Sequence, residues 1–569
     1  MTIISESTLY IGIVTSIYFF VMFIVSRGTL GLAEVLCEKS AVARQVFSIC
    51  IGLAVFLGAI LIINKMGVIF WVGIPVAIAI AFFLPRFLIK KHVISVNKIA
   101  CEKDWQIQAR SATLLYWFIG FSFVFLFSIL SPINGIDITE KTHPGESMIS
   151  IAHSVRAGNI SIYIDESGRI PRLNQNIGQS IFSAIPAIAG IKSPQISLLV
   201  WKGVVHWLLI SMIYSYLTIC QGFKPLVASL GVLISYFCGS ALSLNYASVT
   251  DTGSTLALIV SADTIAGLVY FLFALICLRD LFSLAETVVV SFLYFLIGLV
   301  LNIFGAHFLV ILLPLIVIFI VIRKRSQENH RILMAPVVMM FFGAILGSLF
   351  GGMFLPIQLL DNVFIPGVLA FQLESTRLID LRYFFLNAYT PDLGPEMAGF
   401  IGVNYSPAFS VYTLIYIIFP LLGFCFAWFS LALDTSKSFR FAQQTAFIKA
   451  TFIATIGGGV FLASSVRLNG YIWEMSRFIS PGIFLGILLF VSGTIKIYDT
   501  RNIKVKALLV FFVLISLVGP LKSIYKPRYG DSKDVLIHTN QVACGGWLPN
   551  NYRKDEYEKF CAARENKKW

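Results

Sequence analysis

Val46-Phe-Ser-Ile-Cys-Ile-Gly-Leu-Ala-Val-Phe-Leu-Gly-Ala-Ile-Leu-Ile-Ile-Asn64 carries no charged residue from end to end. An α-helix rises about 1.5 Å per residue, so about 20 apolar residues cross the roughly 30 Å of hydrocarbon in a bilayer. The stretch reads as one membrane span. Outward from it the pattern recurs, near 9–26, 68–89, 112–131, 196–219, 225–244, 256–278, 285–302, 304–322, 333–355, 408–431, 446–465, 479–497 and 505–520. That makes fourteen candidate spans. Only Ile303 separates 285–302 from 304–322, and 505–520 is short.

Composition agrees. The chain has 569 residues, 57% hydrophobic and 13% charged, whereas soluble domains carry about 25% charged residues. Lipid is therefore the solvent for most of the chain, and its 50 Phe residues suit lipid-facing helices. The net charge of +14 sits in short loops between apolar runs and in a basic tail. That distribution argues against a nucleic-acid partner and for membrane orientation. Met1–Tyr10 holds Glu6 and no Lys or Arg, and no small-x-small site follows. The N-terminal segment is thus expected to be a retained helix rather than a cleaved signal.

The loops set the orientation. Basic residues cluster at 86–110, at 323–331, at Lys437 to Arg440 and at 496–506. With fourteen spans all four clusters fall on one side, and positive loops stay in the cytoplasm. Segments 132–195, 356–407 and 521–569 are then outside. The expected fold is an all-α transmembrane helix bundle. Its expected parts are N-terminal helices and a basic loop at 1–111, a core at 112–520 and a short extracytoplasmic tail at 521–569.

Six cysteines lie in or beside apolar segments and Cys101 lies in a basic loop, with no metal-ligand cluster among them. Cys544 and Cys561 share the tail. In an oxidising compartment they can pair, worth about 3 kcal/mol for a loop of that size; otherwise they are two free thiols.

The carboxylates are placed unevenly. The expected spans hold almost none; Lys202 and His206, four residues apart on one helix face, come nearest to a buried polar pair. The acids gather outside: Asp137, Glu140, Glu146, Asp165, Glu166, Asp251, Asp361, Glu374, Asp380, Asp392 and Glu396. The first outside segment reads Ile133-Asn-Gly-Ile-Asp137-Ile-Thr-Glu-Lys-Thr-His143-Pro-Gly-Glu146-Ser147. Met148, Ile151, Ala152 and Val155 follow at helical spacing, closed by Gly158, and predict a helix lying on the membrane surface. Glu146 at its N-terminal end either caps this helix or is a base aimed at an acceptor hydroxyl. Beyond it, Arg169, Arg172, Asn174 and Asn176 suit phosphate or sugar hydroxyls, or form a solvated loop.

Read in order, these marks form a pattern. A basic loop and a span lead to an acidic outside loop and a surface helix ending in Ala157-Gly158. Arg172-x-Asn174-x-x-x-Gly178 and an apolar Pro-containing helix follow. Three later stretches continue it: Ser261-Ala-Asp263-Thr264, Tyr389-Thr-Pro391 through Gly399-Phe400 to Tyr405-Ser-Pro407, and Gly470-Tyr-Ile-Trp473-Glu-Met-Ser-Arg477-Phe-Ile-Ser-Pro481. Over about residues 112–500 this resembles the GT-C glycosyltransferases, polytopic enzymes that use polyprenyl-phosphate sugars. Where relatives of that class often show Asp-Glu, this chain has Gly145-Glu146-Ser147, so either Glu146 or Asp137 is the counterpart. The first three helices precede the resemblance.

The resemblance implies a GT-C-like outside loop and transfer of a sugar from a polyprenyl-phosphate donor to a glycan or lipid acceptor. The site would face the outer side of the cytoplasmic (inner) membrane, as in cell-envelope polysaccharide biosynthesis. Glu146 or Asp137 would take the acceptor proton. Arg477, Arg172, Arg382 and Lys202 would meet the leaving phosphate, with Asn174 and His143 beside the substrate. Asp251 and Asp263 would bind a divalent metal such as Mg or Mn, or the acceptor, or merely cap helices. Arg477 is otherwise an interfacial anchor beside Trp473 and Phe478. Two other classes remain open: a polysaccharide polymerase or ligase, in which His143 and His153 would matter more, and a lipid or glycan transporter (flippase), which would work without the loop acids.

Overall fold

The computed structural model describes residues 2–36, 40–66, 68, 70–90, 103–130, 177–190, 194–237, 262–277, 284–304, 330–349, 371–373, 466–468 and 480–498, with the pairs 506–507, 510–511 and 513–514. Within them run α1 (Thr2–Leu36), α2 (Ala41–Lys65), α3 (Phe70–Lys90), α4 (Lys103–Leu130), α5 (Ile177–Ala184), α6 (Pro194–Ser215), α7 (Pro225–Phe237), α8 (Ala262–Cys277), α9 (Leu284–Phe304), α10 (His330–Leu349) and α11 (Ser480–Tyr498). A 3₁₀ turn, Ile185–Ala189, extends α5. Ten of these helices fall, wholly or in part, on expected spans; 505–520 is described at three pairs of residues, and 305–322, 408–431 and 446–465 lie outside the described residues.

Among the described residues, four helical segments are long and apolar enough to cross a membrane: Thr8–Glu34, Ala41–Ile63, Ser111–Ile129 and Ile196–Cys220. Shorter apolar helices accompany them, including Val72–Phe87, Ile265–Cys277 and Val289–Phe304. Charge-free runs become helices here because lipid offers the backbone no hydrogen-bond partner, and an α-helix satisfies every group internally. Ala41–Ile63 is almost wholly buried and forms the hub, whereas Ser111–Ile129 turns most of its surface outward through Leu114, Leu115 and Phe118.

One departure from an all-helical chain is a short antiparallel pair, β1 (Phe371–Leu373) with β2 (Val466–Leu468). Phe371 stands opposite Leu468 and Leu373 opposite Val466. Helical periodicity does not anticipate such a contact, because it joins segments far apart in the chain.

Lipid is as apolar as leucine, so burial alone does not drive these helices together; close packing and interhelical hydrogen bonds do. Helix directions follow from the paired residues. Phe47 meets Phe273 and the Tyr270 hydroxyl donates to the Cys50 carbonyl at 2.8 Å, so α2 and α8 run antiparallel. Phe19 packs on Phe121 and Phe23 on Trp117, so α1 and α4 do likewise. The contrast is α9 with α10. Gly343 abuts Phe295 and Leu299, Gly347 abuts Leu299 and Asn302, and Asn302 Nδ2 donates to the Ala344 carbonyl at 2.5 Å. Partners advance together along both chains, so α9 and α10 run parallel.

The end of α6 widens into a π turn, Tyr216–Cys220, and the Gln221 amide donates to the Tyr216 carbonyl at 3.2 Å. Gly222 then takes φ +71° and the Phe223 amide reaches back to the Leu217 carbonyl. A left-handed residue closes the helix and suits glycine, which has no Cβ to clash.

Candidate functional site

Polar groups in this apolar interior converge on α6. Gly203 lies against Val124 and Phe127 of α4, which lets the two helices approach closely. The same approach buries the α6 face that carries Lys202 and His206, which are 7% and 1% exposed. His206 Nδ1 and the Tyr236 hydroxyl of α7 lie 2.8 Å apart, a hydrogen bond in either ring tautomer. Phe127 covers the imidazole with ring centroids 4.9 Å apart, and Tyr236 meets it edge-on.

The depth of this cluster matters. His206 is twelve residues along α6 from Pro194 and Tyr236 eleven along α7 from Pro225. At about 1.5 Å per residue both sit about 16–18 Å in, near the middle of a roughly 30 Å core. Lys202 lies one turn nearer the Pro194 end. Ionisable side chains at such depth are costly, face a bundle interior and mark pathways or sites. Chemically, an ammonium one turn from an imidazole can hold an anion or pass a proton.

The adjoining face of α6 is dry. Trp201, Val205 and Leu208 line a void shared with Leu53 of α2, with Ala266, Val269 and Tyr270 of α8, and with Phe182 and Phe304. It has room for about one water and no ring of polar partners to hold it, so it is a packing gap. Phe182 stacks on Trp201 at 4.2 Å, and the Tyr18 hydroxyl donates to the Phe182 carbonyl at 2.8 Å. These contacts seat α5 between α1, α6 and α9.

Gly178, the last residue of the Arg172-x-Asn174-x-x-x-Gly178 motif, opens α5 where any Cβ would strike the Phe304 ring. The helix and turn that follow are buried from Ile181 to Pro186.

The expected site residues divide as follows. Lys202 is placed fully, buried on α6. Asp263 is placed by its backbone in the first turn of α8. The two helices are neighbours: Trp201, next to Lys202, and Ala266, three residues beyond Asp263, line the same void. Glu146, Asp137, His143, Arg172, Asn174, Asp251, Arg382 and Arg477 lie outside the described residues, as do Cys544 and Cys561 of the expected disulfide. Among the described residues no group of His, Cys, Asp or Glu is arranged to hold a metal ion. Of the two carboxylates offered to one, Asp251 lies outside the described residues and the Asp263 side chain is not placed. Tyr236 went unanticipated as the partner of His206. It lies on another helix, and nothing in the local pattern couples positions thirty residues apart.

The architecture defines the class: this is a helical membrane protein with several apolar helices of spanning length. No model of a known protein family matches the chain, and no curated protein is similar to it at a significant level.

Proposed function

We propose that the chain is a GT-C-type glycosyltransferase of fourteen spans. It moves a sugar from a polyprenyl-phosphate donor to a glycan or lipid acceptor at the outer face of the cytoplasmic membrane. The ordered motifs between residues 112 and 500 support the reading, and one structural observation carries it furthest. The β1–β2 pair ties the segment leading to Arg382 to the segment leading to Arg477, each arginine nine residues beyond its strand. The strands are antiparallel, so the chain leaves them at opposite ends; nine residues span at most about 30 Å, and both segments must turn back for the two guanidinium groups to meet one leaving phosphate. Span alternation assigns both segments to the outer side, where the acids also gather.

In this mechanism a loop carboxylate, Glu146 or Asp137, accepts the acceptor hydroxyl's proton as the oxygen bonds to the anomeric carbon. The sugar–phosphate bond breaks and the lipid phosphate leaves with the electron pair. Arg477, Arg172 and Arg382 oppose its growing charge, with Lys202 as a buried cation deeper in the membrane. Asn174 and His143 contact substrate hydroxyls. A divalent metal, if used, would draw on Asp251 and Asp263.

The test is to express Glu146→Gln and Asp137→Asn separately and together and to compare surface glycans by mass spectrometry. Loss of one sugar at normal protein level is expected from at least one variant. An unchanged glycan profile in all three removes the enzyme. A transporter reading draws on a different observation, the mid-depth Lys202–His206–Tyr236 cluster, since carriers place ionisable groups there. It predicts that Glu146→Gln leaves function intact while His206→Leu abolishes it.

A further inference from the structure

Two arginines meet on the flank formed by α1 and α3. Gly28 has no side chain, and the α3 backbone at Ala81 and Phe82 packs directly onto it. That contact brings Arg27 and Arg86 to one level. Arg86 donates through Nε and Nη2 to the Arg27 carbonyl, at 3.4 and 3.1 Å. One edge of the Arg86 guanidinium is thereby fixed, and the Nη1–Nη2 edge faces away from that carbonyl.

Each guanidinium folds back along its helix onto a phenyl ring one turn earlier. Arg27 lies 4.9 Å from the Phe23 ring centre and Arg86 3.8 Å from that of Phe82. Helical side chains lean toward the N-terminus, so both charges sit about a turn closer to the membrane middle than their own Cα atoms. From Thr8, where the apolar part of α1 begins, Arg27 is about 28 Å along the axis, the thickness of the hydrocarbon. The two charges thus lie about a turn inside that boundary, where local thinning of the bilayer brings a lipid phosphate to them. Both arginines are exposed, and Phe20 and Phe83 beside them are 65% and 64% exposed. Glu34, the next carboxylate along α1, is about two turns further out.

We propose that Arg27 and Arg86 form a headgroup site for an anionic phospholipid. The phosphate is held between the two guanidinium groups and the acyl chains lie along Phe20, Phe23 and Phe83. The fork of a guanidinium matches two phosphate oxygens, and stacking on phenyl rings holds both forks in place beside the lipid-facing aromatic flank. A free phosphate ion offers the same oxygens but no chains for the aromatic flank.

The test uses the full chain in detergent, with native mass spectrometry of bound lipid when phosphatidylglycerol and phosphatidylcholine are supplied together. The wild type is expected to retain phosphatidylglycerol preferentially. Arg27→Gln and Arg86→Gln should each weaken that preference about fivefold, the contribution of one basic residue at a charged lipid surface. Lys506→Gln should leave it unchanged, and an equal drop there would replace a built site with a diffuse cationic field. If the glutamine variants do not fold, Arg27→Lys and Arg86→Lys keep the charge and lose the fork. An unchanged preference in them overturns the proposal. Displacement of the lipid by excess inorganic phosphate, with no preference between lipids, would assign the arginines to a soluble ion and overturn it too.

Discussion

Tyr270 sends its hydroxyl across the α2–α8 interface to the Cys50 carbonyl, and Tyr294 sends its own to the Ala274 carbonyl at 2.5 Å between α8 and α9. Tyr18, Asn302 and Thr29 make similar crossings, Thr29 to the Ser48 carbonyl at 2.5 Å. In lipid such bonds matter because apolar surface gains nothing by leaving one hydrocarbon for another. The Tyr270 bond is nonetheless modest, since Cys50 lies inside α2 and its carbonyl also accepts from the helix backbone four residues on. Tyr270→Phe should lower stability by about 0.6 kcal/mol, and by no more than about 2, read as a shift in thermal unfolding in detergent. No shift would mean that the hydroxyl contributes nothing net. The same residue scale explains what sequence reading reached at α6. Lys202 and His206 were legible as a pair because four residues is one helical turn. Tyr236 was not, because the bond that makes it matter closes only when α7 packs back.

At the scale of elements, glycine decides where helices touch. Gly298 and Gly343 place backbone against backbone between α9 and α10: a Cβ on Gly298 would meet the Met340 carbonyl, and one on Gly343 the Phe295 carbonyl. A backbone carbonyl inside a helix cannot swing aside, so Gly343→Ala should cost about 1–3 kcal/mol or more. Gly12→Ala is the contrast, since its Cβ would meet only the Phe125 ring at 3.6 Å; it should be neutral. Heat-induced aggregation midpoints of the two purified variants should therefore diverge, and equal midpoints would refute the packing. The helices themselves were readable from charge-free runs. Which glycines are contacts was not, since a glycine facing lipid and one facing a neighbour read alike.

For the whole molecule, direction is the informative quantity. Parallel α9 and α10 cannot both cross a bilayer unless the chain returns between Phe304 and His330, which is where the apolar run 304–322 lies. In a background with its native cysteines replaced, Ala306→Cys should be labelled by an impermeant reagent on intact cells. Ser326→Cys should be labelled only after permeabilisation. Labelling of both from one side would remove that span and with it the alternation that places the acidic loops outside. What the sequence alone determined is the membrane character and the positions of apolar helices, four of them of spanning length among the described residues. Those follow from the transfer of a chain segment out of water, a property of local composition. What only the tertiary structure decided is which helices are neighbours, in which direction they run, and that His206 meets Tyr236, Arg86 meets Arg27 and β1 meets β2. These depend on close packing between segments distant in the chain, and between helices already in lipid the hydrophobic pattern has no preference to express.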